Sequence, residues 1–90
     1  MAKCVYDFNT GTHLEVQLGE DGYNVNIIQA DDKPLMGTFT SYENMLKGIA
    51  PIVQNNVNSD EELFILAFQL KTSFNSKLEP HEIMTILMES

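Results

Sequence analysis

Hydrophobic and polar residues alternate along the first 39 residues, which is the pattern of strands that bury one face. Four segments show this pattern: Lys3–Phe8, His13–Leu18, Tyr23–Ile28 and Leu35–Phe39. The sequences between them are rich in glycine, asparagine, aspartate and proline, which favour tight turns. We therefore predict an antiparallel meander of three to four short strands.

From residue 40 onward the hydrophobic spacing changes to that of amphipathic helices. Capping boxes begin at Thr40 and at Ser59, each with a glutamate three residues later. The first helix is expected to run from about Ser41 to Gly48 or a little beyond. Pro51 then ends or kinks it, because proline has no N–H and clashes with the carbonyl four residues earlier.

Two further helices are predicted after a polar connection at residues 54–58. The second helix begins after Ser59, and its apolar residues cover more than half of its circumference. Such a helix is either central in the fold or presents a second face to a partner. The third begins near Pro80, since proline is favoured in the first helical turn.

These elements together predict one α+β domain spanning residues 1–90. The meander occupies residues 1–39, and two or three helices in residues 40–90 pack on one face of the sheet. An isolated sheet of this size needs such a cover to be stable. A chain of 90 residues has the length of a single domain, and no linker divides it.

Charge is the unusual feature of the composition. Thirteen carboxylates face five lysines and no arginine, which gives a formal net charge of −8. Direct binding to nucleic acid or to anionic membranes is therefore disfavoured, because arginine and lysine make most phosphate contacts. The negative charge either keeps a small protein soluble or attracts a basic partner.

The compartment is expected to be the reducing cytoplasm. Cys4 is the single cysteine, so it cannot form an internal disulfide, and no signal peptide is recognised before it. We expect it to be a small core residue. The longest strongly apolar run, Leu63–Ala67, is far shorter than the roughly 20 residues that span a bilayer.

No motif indicates catalysis, a metal or a cofactor, so we predict that the chain is not an enzyme. His13, His81 and Cys4 lack the spacing of a zinc site, and the acidic turns lack the register of a calcium loop. A small-ligand pocket between sheet and helices remains an alternative, with His13, Glu15 and Tyr23 as its polar lining.

Two features indicate contact with a protein partner instead. Acidic residues recur at two turn tips and at the start of the second helix, and a negative patch forms if the fold gathers any two of these groups. The last two helices also carry more large apolar residues than are needed to cover one small sheet. The candidate partner-binding residues are Glu20, Asp21, Asp31, Asp32, Asp60, Glu61, Glu62, Phe64, Phe68, Met84 and Met88.

The leading hypothesis is a small acidic protein-binding module that regulates or inhibits a larger basic protein. One concrete form is a phage-type inhibitor of a host defence enzyme, similar in action to an anti-CRISPR protein, whose carboxylates replace nucleic-acid phosphates. The first alternative is a homo-oligomeric assembly protein, in which the last two helices form the seam of a homodimer. The second alternative is the small-ligand domain described above.

Overall fold

The computed structural model describes residues 2–89. Its four strands are β1 (Lys3–Asp7), β2 (His13–Gly19), β3 (Gly22–Ile28) and β4 (Leu35–Phe39). Its three helices are α1 (Tyr42–Asn56), α2 (Asp60–Phe74) and α3 (Pro80–Glu89). The strands form one antiparallel sheet in the order β1-β2-β3-β4, which confirms the predicted α+β fold with a meander followed by helices.

The register of the sheet places most of its apolar residues on one face. Cys4 pairs with Val16, Val16 with Val25, and Val25 with Gly37, so one inward position comes from each strand. The turn between β2 and β3 depends on Gly22, which has a φ of +126°. A Cβ at this position would collide with the carbonyl oxygen of Phe39, so only glycine fits there.

The helices cover this apolar face and leave the other face of the sheet open. α2 packs on β1, α1 packs on β3 and β4, and α3 packs against both α1 and α2. Each fully buried aliphatic side chain contributes roughly 1.5–3 kcal/mol to folding. The largest of these side chains come from the sheet and from all three helices, and they include Leu14, Val16, Met45, Leu46, Ile49, Val53, Leu66, Leu70, Ile83 and Leu87.

The prediction for α1 was wrong in its N-cap residue and at its C-terminal end. The N-cap is Ser41 rather than Thr40, because the Asn44 N–H donates to Ser41 Oγ at 3.1 Å. The helix also continues through Pro51 to Asn56, so most of the predicted connection at residues 54–58 is helical. Proline costs a helix roughly 3 kcal/mol. Pro51 itself is exposed, and the complete burial of its neighbours Ala50 and Val53 offsets that cost.

The predicted cap of α2 is confirmed. Ser59 has extended backbone angles, and its Oγ accepts the N–H of Glu62 at 3.1 Å. The Glu62 side chain also turns back toward the start of the helix, as in a capping box. Its Oε1 accepts the N–H of Asn58, the residue before the N-cap, at 3.2 Å. α2 ends at Asn75, which takes the left-handed conformation with a φ of 50°.

The other oxygen of Glu62 bonds to a distant part of the chain. Glu62 Oε2 accepts the Asn9 N–H at 2.9 Å and the Tyr6 hydroxyl at 3.2 Å. Glu62 is only 4% exposed, so its charge is satisfied by hydrogen bonds rather than by water. Burial raises the pKa of Tyr6 to about 12, and the neighbouring Glu62 carboxylate contributes to the same shift.

A second polar contact joins the same loop to the end of α1. Asn56 Oδ1 accepts the hydroxyls of Thr10 at 2.6 Å and Thr12 at 2.9 Å, and its Nδ2 donates to the carbonyl of Ile52 at 2.8 Å. Thr12, Asn56 and Glu62 are the buried polar residues of the part of the chain described. All three meet at the β1–β2 loop, which is thereby fixed to the junction of α1 and α2.

Replacing Glu62 by glutamine tests this contact. We expect Glu62→Gln to lower the free energy of unfolding by about 1.5–3 kcal/mol, because three donors lose a charged acceptor and the new amide N–H₂ faces other donors. The exposed Glu61→Gln in the same helical turn is the matched control, with an expected loss below about 1 kcal/mol. Urea denaturation measures both, and equal losses would contradict the buried role of Glu62.

Candidate protein-binding surface

The topology collects exposed carboxylates at one end of the molecule. The β1–β2 loop and the β3–β4 turn share one end of the sheet, and the β2–β3 turn lies roughly 20 Å away at the other. α1 ends and α2 begins at the first end, as their bonds to the β1–β2 loop show. We name this the acidic end, and its exposed carboxylates are Asp7, Asp31, Asp32, Asp60, Glu61 and Glu89.

Four of the five lysines lie toward the opposite end, and carboxylates neutralise three of them. Lys3 Nζ is 3.1 Å from Glu15 Oε1, and Lys71 Nζ is 3.7 Å from Glu79 Oε2. A third lysine, in the first half of α1, forms an i,i+4 pair at 3.2 Å. Lys33 in the β3–β4 turn is the lysine that the structure places at the acidic end. The negative potential is therefore concentrated at the acidic end.

The three acidic clusters named by the sequence are placed differently. Asp31 and Asp32 share the acidic end with Asp60 and Glu61, whereas Glu20 and Asp21 lie at the opposite end of the sheet.

Glu62 requires a correction. It was expected in the exposed acidic patch, but its carboxylate is buried by the bonds to the β1–β2 loop and is not available to a partner. A capping box alone could not show this, because the burying residues lie more than 50 positions earlier in the chain.

The outer face of α2 carries three large apolar side chains in water. Phe64 is 49% exposed, Ile65 is 42% exposed and Phe68 is 50% exposed. The core does not need them, since the inner face of α2 is already filled by other residues that are at most 4% exposed. The two phenylalanine rings stack on each other, with centroids 6.3 Å apart and an interplanar angle of 25°. A half-exposed aromatic pair of this kind is typical of a contact surface.

Acidic residues adjoin this aromatic pair because of the helical repeat. Asp60 and Glu61 precede Phe64 and Ile65 by four residues, so they lie one turn away on the same side of α2. We name Asp60, Glu61, Phe64, Ile65 and Phe68 the α2 surface. It joins an apolar patch to the acidic end of the molecule.

The two methionines of α3 have different surroundings. Met88 is 49% exposed in the last turn of α3, which lies at the acidic end because the Leu87 carbonyl accepts Gln54 Nε2 of α1. Met84 is partly buried and packs against the core, so it contributes less surface than was expected.

Exposed apolar residues on β4 were given no role from the sequence. Met36 is 81% exposed and Leu35 is 50% exposed. The sequence pattern around Gly37 does not distinguish these two residues from buried ones. The strand order shows that β4 is an edge strand.

The three residues proposed as a pocket lining do not meet. His13 and Glu15 lie on the open face of the sheet, whereas Tyr23 lies on the inner face. The ring of Tyr23 packs edge-on against Tyr42 at 5.6 Å and against Phe74 at 5.4 Å. The prediction that these three residues line one pocket is therefore wrong.

The open face of the sheet carries a row of charged side chains. His13 bonds to Asp7 through Nδ1 and to Glu15 through Nε2, the latter at 3.0 Å, and Glu15 also pairs with Lys3. Hydrogen bonds to Asp7 and Glu15 raise the pKa of His13. Bonds from His13 and Lys3 lower the pKa of Glu15. The row stabilises the pairing of β1 with β2.

Cys4 is buried on the inner face of the sheet, and burial raises the pKa of its thiol. A thiol held in its neutral form is a poor nucleophile. Within residues 2–89, no group of three or more histidine, cysteine, aspartate or glutamate side chains is arranged to hold a metal ion. The helices of this range are all too short or too polar to cross a membrane.

Comparison of the chain with protein-family models, with curated proteins and with solved structures finds no match.

The charged row on the open face makes stability depend on pH. The pKa of His13 is raised in the folded chain, so its stabilisation is complete below the unfolded value of about 6.5 and is lost as pH rises through the folded value. We expect the difference in unfolding free energy between wild type and His13→Asn to shrink from about pH 6 to about pH 9.

Chemical denaturation at several pH values measures this difference. His81→Asn, which removes an exposed imidazole at the start of α3, is the control. A difference for His13→Asn that stays constant across the range would contradict the assigned ion pairs.

Proposed function

We propose that this chain is a small, acidic, non-enzymatic protein-binding module that regulates or inhibits a larger basic protein. The observation that carries the proposal is the α2 surface, where Phe64 and Phe68 stack in water beside Asp60 and Glu61. We further place the protein in the cytoplasm, where the thiol of Cys4 stays reduced.

The aromatic pair supplies the binding energy in this proposal. Phe64 and Phe68 each leave about half of the side chain in water, which is roughly 100 Å² apiece. Burying that area against an apolar pocket yields about 2.5 kcal/mol for each ring at about 25 cal/mol per Å². The rings are already stacked on a helix whose inner face is fixed to the core, so little side-chain entropy is lost on binding.

The acidic end supplies the choice of partner. Exposed carboxylates at one end of a chain with net charge −8 attract a basic surface and raise its association rate. Asp60 and Glu61 adjoin the aromatic pair directly, so a partner that fits best has an apolar pocket bordered by lysine or arginine.

A nucleic-acid-binding enzyme is the class of basic protein that we favour. Its groove displays the lysines and arginines that otherwise contact phosphates, and carboxylates can occupy those positions. A phage-type inhibitor of a host defence enzyme would act in this way. This finer proposal rests on charge alone, whereas the protein-binding role also rests on the aromatic pair.

The proposal predicts how two double variants bind. Phe64→Ala/Phe68→Ala should raise the Kd of the complex with the partner at least about 30-fold, which corresponds to about 2 kcal/mol of binding free energy. Asp60→Asn/Glu61→Gln should slow association and reduce its dependence on salt. The partner is captured from lysate on the immobilised chain at low salt and purified, and its affinity for each variant is then measured at low and high salt.

The chain provides matched controls for both variants. Val5→Ala/Ile28→Ala removes exposed apolar surface from the open face of the sheet, and Glu20→Gln/Asp21→Asn removes the same charge from the opposite end. Control variants that weaken binding as much as the test variants would contradict the α2 surface. Affinity that is unchanged in high salt would contradict a basic partner.

Competition with DNA or RNA tests the finer proposal. If the chain occupies a nucleic-acid groove, the purified partner loses its bound nucleic acid as the chain is added. Simultaneous binding of chain and nucleic acid would refute the groove-occupying inhibitor and leave the protein-binding role in place.

A further inference from the structure

Three aromatic rings meet at the end of the molecule that lies opposite the acidic end. They belong to Tyr23 at the start of β3, Tyr42 at the start of α1 and Phe74 at the end of α2, and we name them the aromatic cluster. The ring centroids of the two tyrosines are 5.6 Å apart, and that of Phe74 is 5.4 Å from Tyr23 and 5.9 Å from Tyr42. The ring planes are steeply inclined to one another, at angles of 64°, 77° and 63°.

An open cavity of about 360 Å³ lies against the aromatic cluster and is lined by all three of its rings. None of these rings is completely buried, so each keeps part of its surface accessible. The Tyr42 hydroxyl donates to the carbonyl of Leu70 at 2.9 Å, which holds its ring in place. A cation in the cavity lies within reach of several rings at once, because cation–π attraction extends to about 6 Å from a ring centroid.

The lining of this cavity also carries one charge of each sign, from Glu43 and Lys77. Glu43 pairs with Lys47 at 3.2 Å, but its side chain is 62% exposed, and such a surface pair contributes little and is readily exchanged. Lys77 is exposed in the connection after α2. Lys77 repels a ligand that has only positive charge, and Glu43 repels one that has only negative charge. A ligand that carries both charges therefore fits this lining best.

We propose that this cavity binds a small zwitterion of the betaine class, in which a short carbon chain joins a quaternary ammonium group to a carboxylate. The ammonium group lies against the aromatic cluster beside Glu43, and the carboxylate lies toward Lys77. A quaternary ammonium has no N–H groups, so the rings can replace its water without leaving a donor unpaired. A primary ammonium would leave its three donors unpaired there. The proposal is separate from the α2 surface and from the proposed protein partner.

Two probes of the same shape test the role of the positive charge. Glycine betaine carries a trimethylammonium group, and 3,3-dimethylbutanoate carries a tert-butyl group in its place. We expect wild type to bind glycine betaine with a Kd at least about 10-fold lower, which corresponds to about 1.4 kcal/mol. NMR titration of the full chain measures both Kd values, in added salt that screens the long-range effect of the net charge. The shifted signals should belong to residues that line the cavity.

Variants of the lining test where the ligand lies. Phe74→Leu removes one ring and should raise the Kd for glycine betaine about 3-fold or more, whereas Phe68→Leu on the α2 surface is the matched control and should leave it unchanged. Lys77→Gln should weaken glycine betaine but not tetramethylammonium, which has no carboxylate. Circular dichroism and thermal unfolding establish that each variant is folded. The comparison of the two probes uses wild type, so it does not depend on the folding of any variant.

Tighter binding of glycine betaine than of its isostere, weakened by Phe74→Leu and by Lys77→Gln, would support the proposal. Wild type that shows no saturable binding of glycine betaine would overturn it. Equal Kd values for the two probes would also overturn it, because the cavity would then select apolar shape and not charge. A folded Phe74→Leu variant with unchanged affinity would contradict the site, and an unchanged Lys77→Gln variant would contradict the placement of the carboxylate.

Discussion

The rest of the fold depends on the buried carboxylate of Glu62, which joins three parts of the chain. It accepts hydrogen bonds from Tyr6 at the end of β1, from Asn9 in the following loop and from Asn58 before α2. A buried charge with its hydrogen bonds made is stable, whereas one that loses them costs several kcal/mol. The start of α2 is therefore fixed in both position and rotation on the sheet. Asn56 acts in the same way on the end of α1.

Fixing the rotation of α2 decides which of its side chains reach water. Apolar residues cover more than half of the circumference of this helix, so the hydrophobic effect alone permits several rotations. With Glu62 bound at the β1–β2 loop, Leu66 and Leu70 enter the core, while Phe64 and Phe68 remain outside beside the acidic end. The surface proposed to bind a partner is thus a consequence of a buried polar contact.

Much of the fold follows from local sequence patterns, and the surface does not. The alternation in His13–Gly19 and the cap at Ser59 are local signals, so they predicted β2 and the start of α2. The C-terminal end predicted from Pro51 was wrong, because α1 is kept intact by burial against residues that are distant in the sequence. The burial of Glu62 and the edge position of β4 likewise depend on contacts between distant residues and on strand order. Phe64 and Phe68 could be identified as surplus apolar residues, since the second helix has more than one face can bury.

Native-state hydrogen exchange at the backbone amide of Asn9 tests the central role of Glu62 most directly. Asn9 lies in an exposed loop, and its N–H donates to Glu62 Oε2 at 2.9 Å. If this bond fixes the loop to α2, the amide exchanges only when the contact opens, at least about 100-fold more slowly than in an unstructured peptide. Exchange at the rate of an unstructured peptide would show that the carboxylate does not hold the loop, and would contradict the account of how α2 is oriented.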